Sequence, residues 1–217
     1  MTDAALPSAN AKSACVLRGL YAITPDDTDD ARLLALVERV LAGRPVLLQY
    51  RNKLAGPDQR RVQARALLER CRAAEVPLII NDDLALALEI GADGAHLGRE
   101  DGDAATARRA LGTDRILGVT CYADWDRACA GAQAGADYLA FGAMFPSVTK
   151  PHAPPAPFAL IARAKHELRL PVAAIGGITL DNADQVIAAG ADLIAVVSDV
   201  FAAPDPTARA AAYRALF

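Results

Sequence analysis

Short, almost unbroken apolar runs alternate along the chain with longer stretches of helical period. The runs at 20–23, 46–50, 78–81, 94–97, 116–120, 138–142, 172–176 and 193–198 predict strands. Between them, segments such as 30–41, 57–74, 83–90, 124–134 and 181–189 are rich in Ala, Leu, Arg and Glu and predict helices. Asp124 and Asp181 stand where each could cap the start of its helix. The strand runs do not alternate apolar with polar, as strands do when helices cover one face and a packed interior covers the other. Eight such strands, each followed by a helix, predict an α/β fold made of a single (β/α)8 TIM barrel, with a doubly wound open sheet as its rival.

An internal repeat favours the closed barrel. Gly-Ala-Asp occurs at 91–93, 135–137 and 190–192, each time where a helix ends and a strand begins. Asp93, Asp137 and Asp192 then fall at the N-terminal ends of strands, the face of a barrel that serves stability, and are set aside as site residues. No linker divides the chain. The expected organisation is a loose N-terminal extension over 1–16 and a barrel over 17–217. Residues 1–14 lack the apolar core of a secretory signal.

Composition narrows the function classes. The 217 residues are 53% hydrophobic, enough for a sizeable core, but only 5% aromatic, so that core is built from Ala, Val, Leu and Ile. The 23 basic and 26 acidic residues leave a net charge of −3, without the basic excess of a nucleic-acid binder. No run reaches the ~20 uncharged apolar residues of a membrane span. The four cysteines, Cys15, Cys71, Cys121 and Cys129, form no CxxC pair, which suggests reduced thiols and a cytoplasmic location. The apolar helices are compatible with a homo-oligomer, but no interface motif is visible.

In a barrel the C-terminal strand ends share one mouth, so candidate chemistry is sought there. Gln49, Arg51 and Lys53 share parity at the end of the second strand, and an Arg with a Lys at a mouth suits a diphosphate. Asn81, Asp82 and Asp83 end the third strand, and Gly98-Arg99-Glu100-Asp101 follows the fourth. Carboxylates on adjacent strand ends can share Mg²⁺, which completes its shell with water and substrate phosphates. The competing reading is helix capping, by Asp82 or Asp83 for one helix and by Asp101 or Asp103 for the next. Thr120 ends the fifth strand. After the sixth come Ser147, Thr149 and Lys150, inside a stretch at 145–157 with five prolines. Gly176-Gly177 and Val197-Ser198 close the seventh and eighth strands, where barrels bind a phosphate through backbone N–H groups. His96 reads as a satisfied core residue, and no nucleophilic triad is apparent.

Taken in order, LYAITPD, QYRNK, INDD, GAHLGRED, LGVT, FGAMFPSVTK with APPAP, VAAIGGI and AVVSDVF resemble the thiamine phosphate synthase family from about Leu20 to Pro206. The resemblance implies a (β/α)8 barrel that joins 4-amino-2-methyl-5-hydroxymethylpyrimidine diphosphate to 4-methyl-5-(2-hydroxyethyl)thiazole phosphate, releasing diphosphate. It implies that Gln49, Arg51, Lys53, Asn81, Thr120 and Lys150 bind the pyrimidine diphosphate, with Arg51, Lys53 and Lys150 as catalytic groups. It further implies that Asp82 and Asp101 hold Mg²⁺, and that Ser147, Thr149, Gly177, Val197 and Ser198 hold the thiazole phosphate. The chain departs from the common family form at Tyr50, Asn52, Arg99, Thr120, Tyr122 and Ser147. The alternatives are a thiazole tautomerase, a non-catalytic phosphate-metabolite binding barrel, and a phosphate-binding barrel enzyme of sugar or tryptophan metabolism.

Overall fold

A computed structural model describes residues 16–146 and 155–217. The strands are β1 (Gly19–Ile23), β2 (Leu47–Tyr50), β3 (Leu78–Asn81), β4 (Gly94–Leu97), β5 (Ile116–Tyr122), β6 (Tyr138–Phe141), β7 (Val172–Ile175) and β8 (Leu193–Val196). All neighbouring pairs are parallel, and β8 pairs with β1, so the sheet closes in sequence order. This is the expected barrel, and the open-sheet rival falls with the β1–β8 register Tyr21↔Ala195. The helices are α1 (Asp30–Ala42), α2 (Pro57–Ala73), α3 (Leu84–Ile90), α4 (Ala104–Leu111), α5 (Trp125–Gln133), α6 (Ala159–Glu167), α7 (Ala183–Ala188), α8 (Ser198–Phe201) and α9 (Pro206–Arg214).

The continuous apolar runs divide between two cores. Leu20, Leu48, Leu78, Ile80, Leu117 and Leu139 point outward against helix residues such as Leu33, Val37, Leu67 and Ile161. Tyr21, Leu47, Ile79, Ile116, Tyr138 and Leu193 point inward and fill the barrel. Each fully buried side chain of this size contributes roughly 1.5–3 kcal/mol by leaving water. The interior is therefore packed, and ligands are left to the mouth.

The three repeated aspartates pin the lower rim. Asp93, Asp137 and Asp192 accept the backbone N–H of Leu78, Leu117 and Val172, which start or lie near the start of the preceding partner strands. Asp137 also pairs with Arg108 and Asp192 with Lys165. At the other rim, Asp29, Asp83, Asp103 and Asp124 cap α1, α3, α4 and α5, and Asp205 caps α9 beside the last turn of α1. Asp181 does not cap its helix. Asn182 is the capping position of α7, and its Oδ1 instead accepts the Thr179 N–H, closing the turn before the helix.

Candidate active site

The end of β2 is held by residues that follow β1. Thr24 Oγ1 donates to the Arg51 carbonyl at 2.8 Å and accepts the Arg51 N–H at 2.9 Å. Asp26 binds the Arg51 guanidinium and also accepts the Lys53 N–H at 2.6 Å. Arg51 and Lys53 line one cavity of about 310 Å³ together with Asn81 and Asp82. Gln49 turns instead into the barrel interior, where it is buried. Tyr50 and Asn52, at the opposite parity, send their polar atoms to Gln63 on α2. Asn52 Oδ1 accepts the N–H groups of Leu54 and Ala55, so this side chain shapes the loop that carries Lys53.

The capping roles fall to Asp83 and Asp103 and not to Asp82 or Asp101. Asp83 caps α3 and Asp103 caps α4, which leaves Asp82 and Asp101 for other work. Asp101 Oδ2 accepts the Gly98 N–H at 2.8 Å. A Cβ on Gly98 would lie 2.5 Å from Asp101 Oδ2 and 3.6 Å from Asp82 Oδ1, so both carboxylates converge on the space that glycine leaves. Burial, then the neighbouring Asp101, pushes the Asp82 carboxyl up to about 6. Lys53 Nζ, 3.8 Å from Asp82 Oδ2, partly offsets that charge. Two hard oxygen donors beside a cationic cavity fit Mg²⁺, which uses few protein carboxylates and takes the rest of its octahedron from water and phosphate. Arg99, two residues before Asp101, reaches Asp124 at 3.4 Å and lies over the Tyr122 ring.

A chain of side-chain hydrogen bonds crosses the barrel interior. Gln49 Nε2 donates to Tyr21 OH at 2.6 Å, and Tyr21 OH meets Tyr138 OH at 2.7 Å. Tyr138 OH meets His96 Nδ1 at 2.9 Å, and His96 Nε2 meets Thr120 Oγ1 at 2.6 Å. Burial pushes the His96 ring down to about 4, so it is neutral near pH 7. His96 is thus the satisfied core residue its position in β4 suggests. The room for this chain comes from Gly118, where a Cβ would stand 2.1 Å from Tyr138 Cζ and 2.5 Å from His96 Nδ1.

Across the mouth, Gly177 follows β7 with φ of 65°, and a Cβ there would lie 2.4 Å from the Pro146 carbonyl. Val197 and Ser198 follow β8, with Ser198 opening α8. Ser147, Thr149, Lys150 and His152 lie outside the described residues, as do Cys15 and the expected extension to residue 15. The flanks of the proline stretch are anchored: Met144 and Phe145 donate to the Ile175 and Gly176 carbonyls, and Ala156 donates to Ala143. Cys121, next to Thr120, is buried, and burial pushes its thiol up to about 12, far from a nucleophile at neutral pH.

Arg60 is absent from the sequence-derived set. It lines the cavity of Arg51 and Lys53, and its Nε is the one buried side-chain nitrogen or oxygen among the described residues with no hydrogen-bond partner. Arg60 is thus a third guanidinium or ammonium residue at the edge of the cavity that Arg51 and Lys53 line.

The sequence model of the thiamine monophosphate synthase family matches residues 20–200. The chain is 66% identical over 201 residues to the thiamine-phosphate synthase of Aromatoleum aromaticum, covering 93% of this chain and 97% of that one. It is 63% identical over 201 residues to the thiamine-phosphate synthase of Azoarcus sp. strain BH72, covering 93% and 98%. Among solved structures, the thiamine phosphate pyrophosphorylase of Pyrococcus furiosus superposes with a TM-score of 0.81 at 30% identity, covering 92% of this chain and 95% of that one. A 3-hexulose-6-phosphate synthase, 18% identical with a TM-score of 0.64, shares the fold. With the mouth, its carboxylate pair and these likenesses together, the chain belongs to the thiamine monophosphate synthase family.

Proposed function

We propose that this chain condenses 4-amino-2-methyl-5-hydroxymethylpyrimidine diphosphate with 4-methyl-5-(2-hydroxyethyl)thiazole phosphate, giving thiamine phosphate and diphosphate. The observation that carries this reading at the site is the convergence of Arg51, Lys53, Asn81 and Asp82 on one cavity, with Asp101 beside Asp82. Neither a tautomerase nor a monophosphate binder needs a second anion site with a carboxylate pair.

The bond between the pyrimidine methylene carbon and the diphosphate oxygen breaks heterolytically. The electron pair leaves with diphosphate, and the aminopyrimidine delocalises the positive charge on the carbon. Arg51 and Lys53 face the charge that builds on the leaving group, where fixed cations stabilise the transition state more than the ground state. Lys150 adds a third cation in this reading. Asp82 and Asp101 would hold Mg²⁺, whose contribution is further neutralisation of the diphosphate oxygens. Asn81 orients the diphosphate, while Gln49 and Thr120 hold the pyrimidine. Gly177, Val197 and Ser198, with Ser147 and Thr149, hold the thiazole phosphate so that the thiazole nitrogen lone pair attacks the cationic carbon. Alignment of two reactants and exclusion of water do the rest, and no protein nucleophile is required.

The partners are thus two small phosphorylated heterocycles. The free, unpaired Cys71 and Cys121, both buried, support a reducing cytoplasmic setting. Among the described residues no helix is long and apolar enough to cross a membrane. Incubating purified protein with both substrates, and with each alone, tests the reaction: thiamine phosphate appears with equimolar diphosphate only when both are present. Its absence from folded protein supplied with Mg²⁺ overturns the assignment.

A further inference from the structure

Four hydrogen bonds run without a break from Gln49 on β2 through Tyr21, Tyr138 and His96 to Thr120 on β5. Every member except Thr120 is buried, so these groups have little water with which to exchange partners. A hydroxyl has one proton, and a neutral imidazole has one donor nitrogen and one acceptor nitrogen. Direction at one end therefore dictates direction at the other. With Gln49 Nε2 donating to Tyr21, the Tyr21 proton goes to Tyr138 and the Tyr138 proton to His96 Nδ1. The ring then carries its proton on Nε2 and donates to Thr120. Thr120 keeps its own proton, and Gln49 keeps its Oε1, for other partners. Turning the Gln49 amide over reverses all four bonds.

We propose that Tyr21, Tyr138 and His96 are positioning residues that lock Gln49 and Thr120 into a matched polarity, an amide acceptor at one end and a hydroxyl donor at the other. An aminopyrimidine is the ring class that fits this pair, since its exocyclic amine donates and its unprotonated ring nitrogen accepts. The identity of that ring rests on the synthase reading, whereas the coupling itself does not. The relay joins residues of five strands beneath the mouth, so two binding groups from opposite parts of the barrel are set together before substrate arrives. Preorganisation of this kind removes a rotamer search from binding. Gly118 belongs to the same device, because any side chain there would occupy the place where Tyr138 OH meets His96.

The decisive experiment reads the His96 tautomer by long-range proton–nitrogen NMR on protein labelled with ¹⁵N-histidine. The chain has three histidines, and His96→Asn assigns the signal. Wild type is expected to show the proton on Nε2. Gln49→Glu, read at about pH 10, above the range of about 8–9 that buried carboxyls reach, is ionised and can only accept. It should draw the Tyr21 proton to itself and move the His96 proton to Nδ1, although it does not touch that ring. Adding Tyr138→Phe to Gln49→Glu should abolish the switch. The same tautomer in wild type and Gln49→Glu, or a switch that survives Tyr138→Phe, overturns the relay. In kinetics, Tyr138→Phe should raise KM for the pyrimidine diphosphate roughly 3–10-fold, the worth of one misdirected hydrogen bond, and leave KM for the thiazole phosphate within about twofold. Equal rises for both substrates, or none, overturn the aminopyrimidine assignment. A switching tautomer in a protein without synthase turnover separates the two, leaving the relay standing and removing its substrate.

Discussion

Asp26 holds Arg51 through one guanidinium nitrogen, Nη1, which lies 3.0 Å from Oδ1 and 2.9 Å from Oδ2. Oδ1 also takes the Lys53 N–H, so a single carboxylate sets the direction of both candidate leaving-group cations. The pair is partly exposed, at 23% and 30% for the two side chains, and contributes only about 0–1 kcal/mol to folding. Asp26→Ala should therefore leave the melting temperature nearly unchanged and raise KM for the pyrimidine diphosphate roughly 3–10-fold. Calorimetry beside steady-state kinetics checks both halves. A large loss of stability with unchanged KM would make Asp26 a structural residue only.

Arg60 lines the same cavity, and its buried Nε has no hydrogen-bond partner. Arg60→Leu should weaken diphosphate binding, read by calorimetric titration of inorganic diphosphate, roughly tenfold or more for loss of a charge-assisted hydrogen bond. Binding equal to wild type would remove Arg60 from the anion site.

Gly118→Ala places a methyl group inside Tyr138 and against His96. Overpacking of this kind costs about 1–3 kcal/mol, which for a chain of this size lowers the melting temperature by roughly 3–10 °C. An unchanged melting temperature would show that Tyr138 can move aside at little cost.

His96 makes stability depend on pH. Its folded value near 4 lies below the ordinary 6.5 because the ring is buried. The unfolded chain binds the extra proton between these values, so the contribution is fully present above pH 6.5 and is lost as pH falls through 4. Between pH 7 and pH 4.5 it removes about 2–3 kcal/mol. Urea unfolding in the presence of a chelator should show this slope in wild type and a flatter one in His96→Asn. Identical slopes would place the ring's folded and unfolded values together.

Much of the barrel was legible because buried parallel strands and the Gly-Ala-Asp repeat leave clear marks. Asp82 and Asp101 could be named as a pair but not separated from caps, since an Asp before a helix looks the same in either role. Position within the fold separated them: Asp83 and Asp103 point along their helices. The interior relay was not legible. A strand buried on both faces carries no alternation, so nothing in the sequence tells that Tyr21 and Tyr138 point inward while Leu20 and Leu139 point outward. Arg60 was hidden for another reason: it sits in an arginine-rich helix, where a solvated face and a site residue look alike. Asp181 was misread as a cap because the turn before α7 uses Asn182 instead.

We propose that diphosphate departs at the mouth between β2, β3 and β4 with the help of a divalent cation. The most direct measurement is turnover against Mg²⁺ concentration for wild type, Asp82→Asn and Asp101→Asn, with folding checked by circular dichroism. Wild type is expected to form thiamine phosphate in a Mg²⁺-dependent manner. Each folded variant is expected to lose roughly 100-fold or more, since neither aspartate caps a helix. Turnover independent of Mg²⁺, or near wild-type rates in both variants, would contradict it.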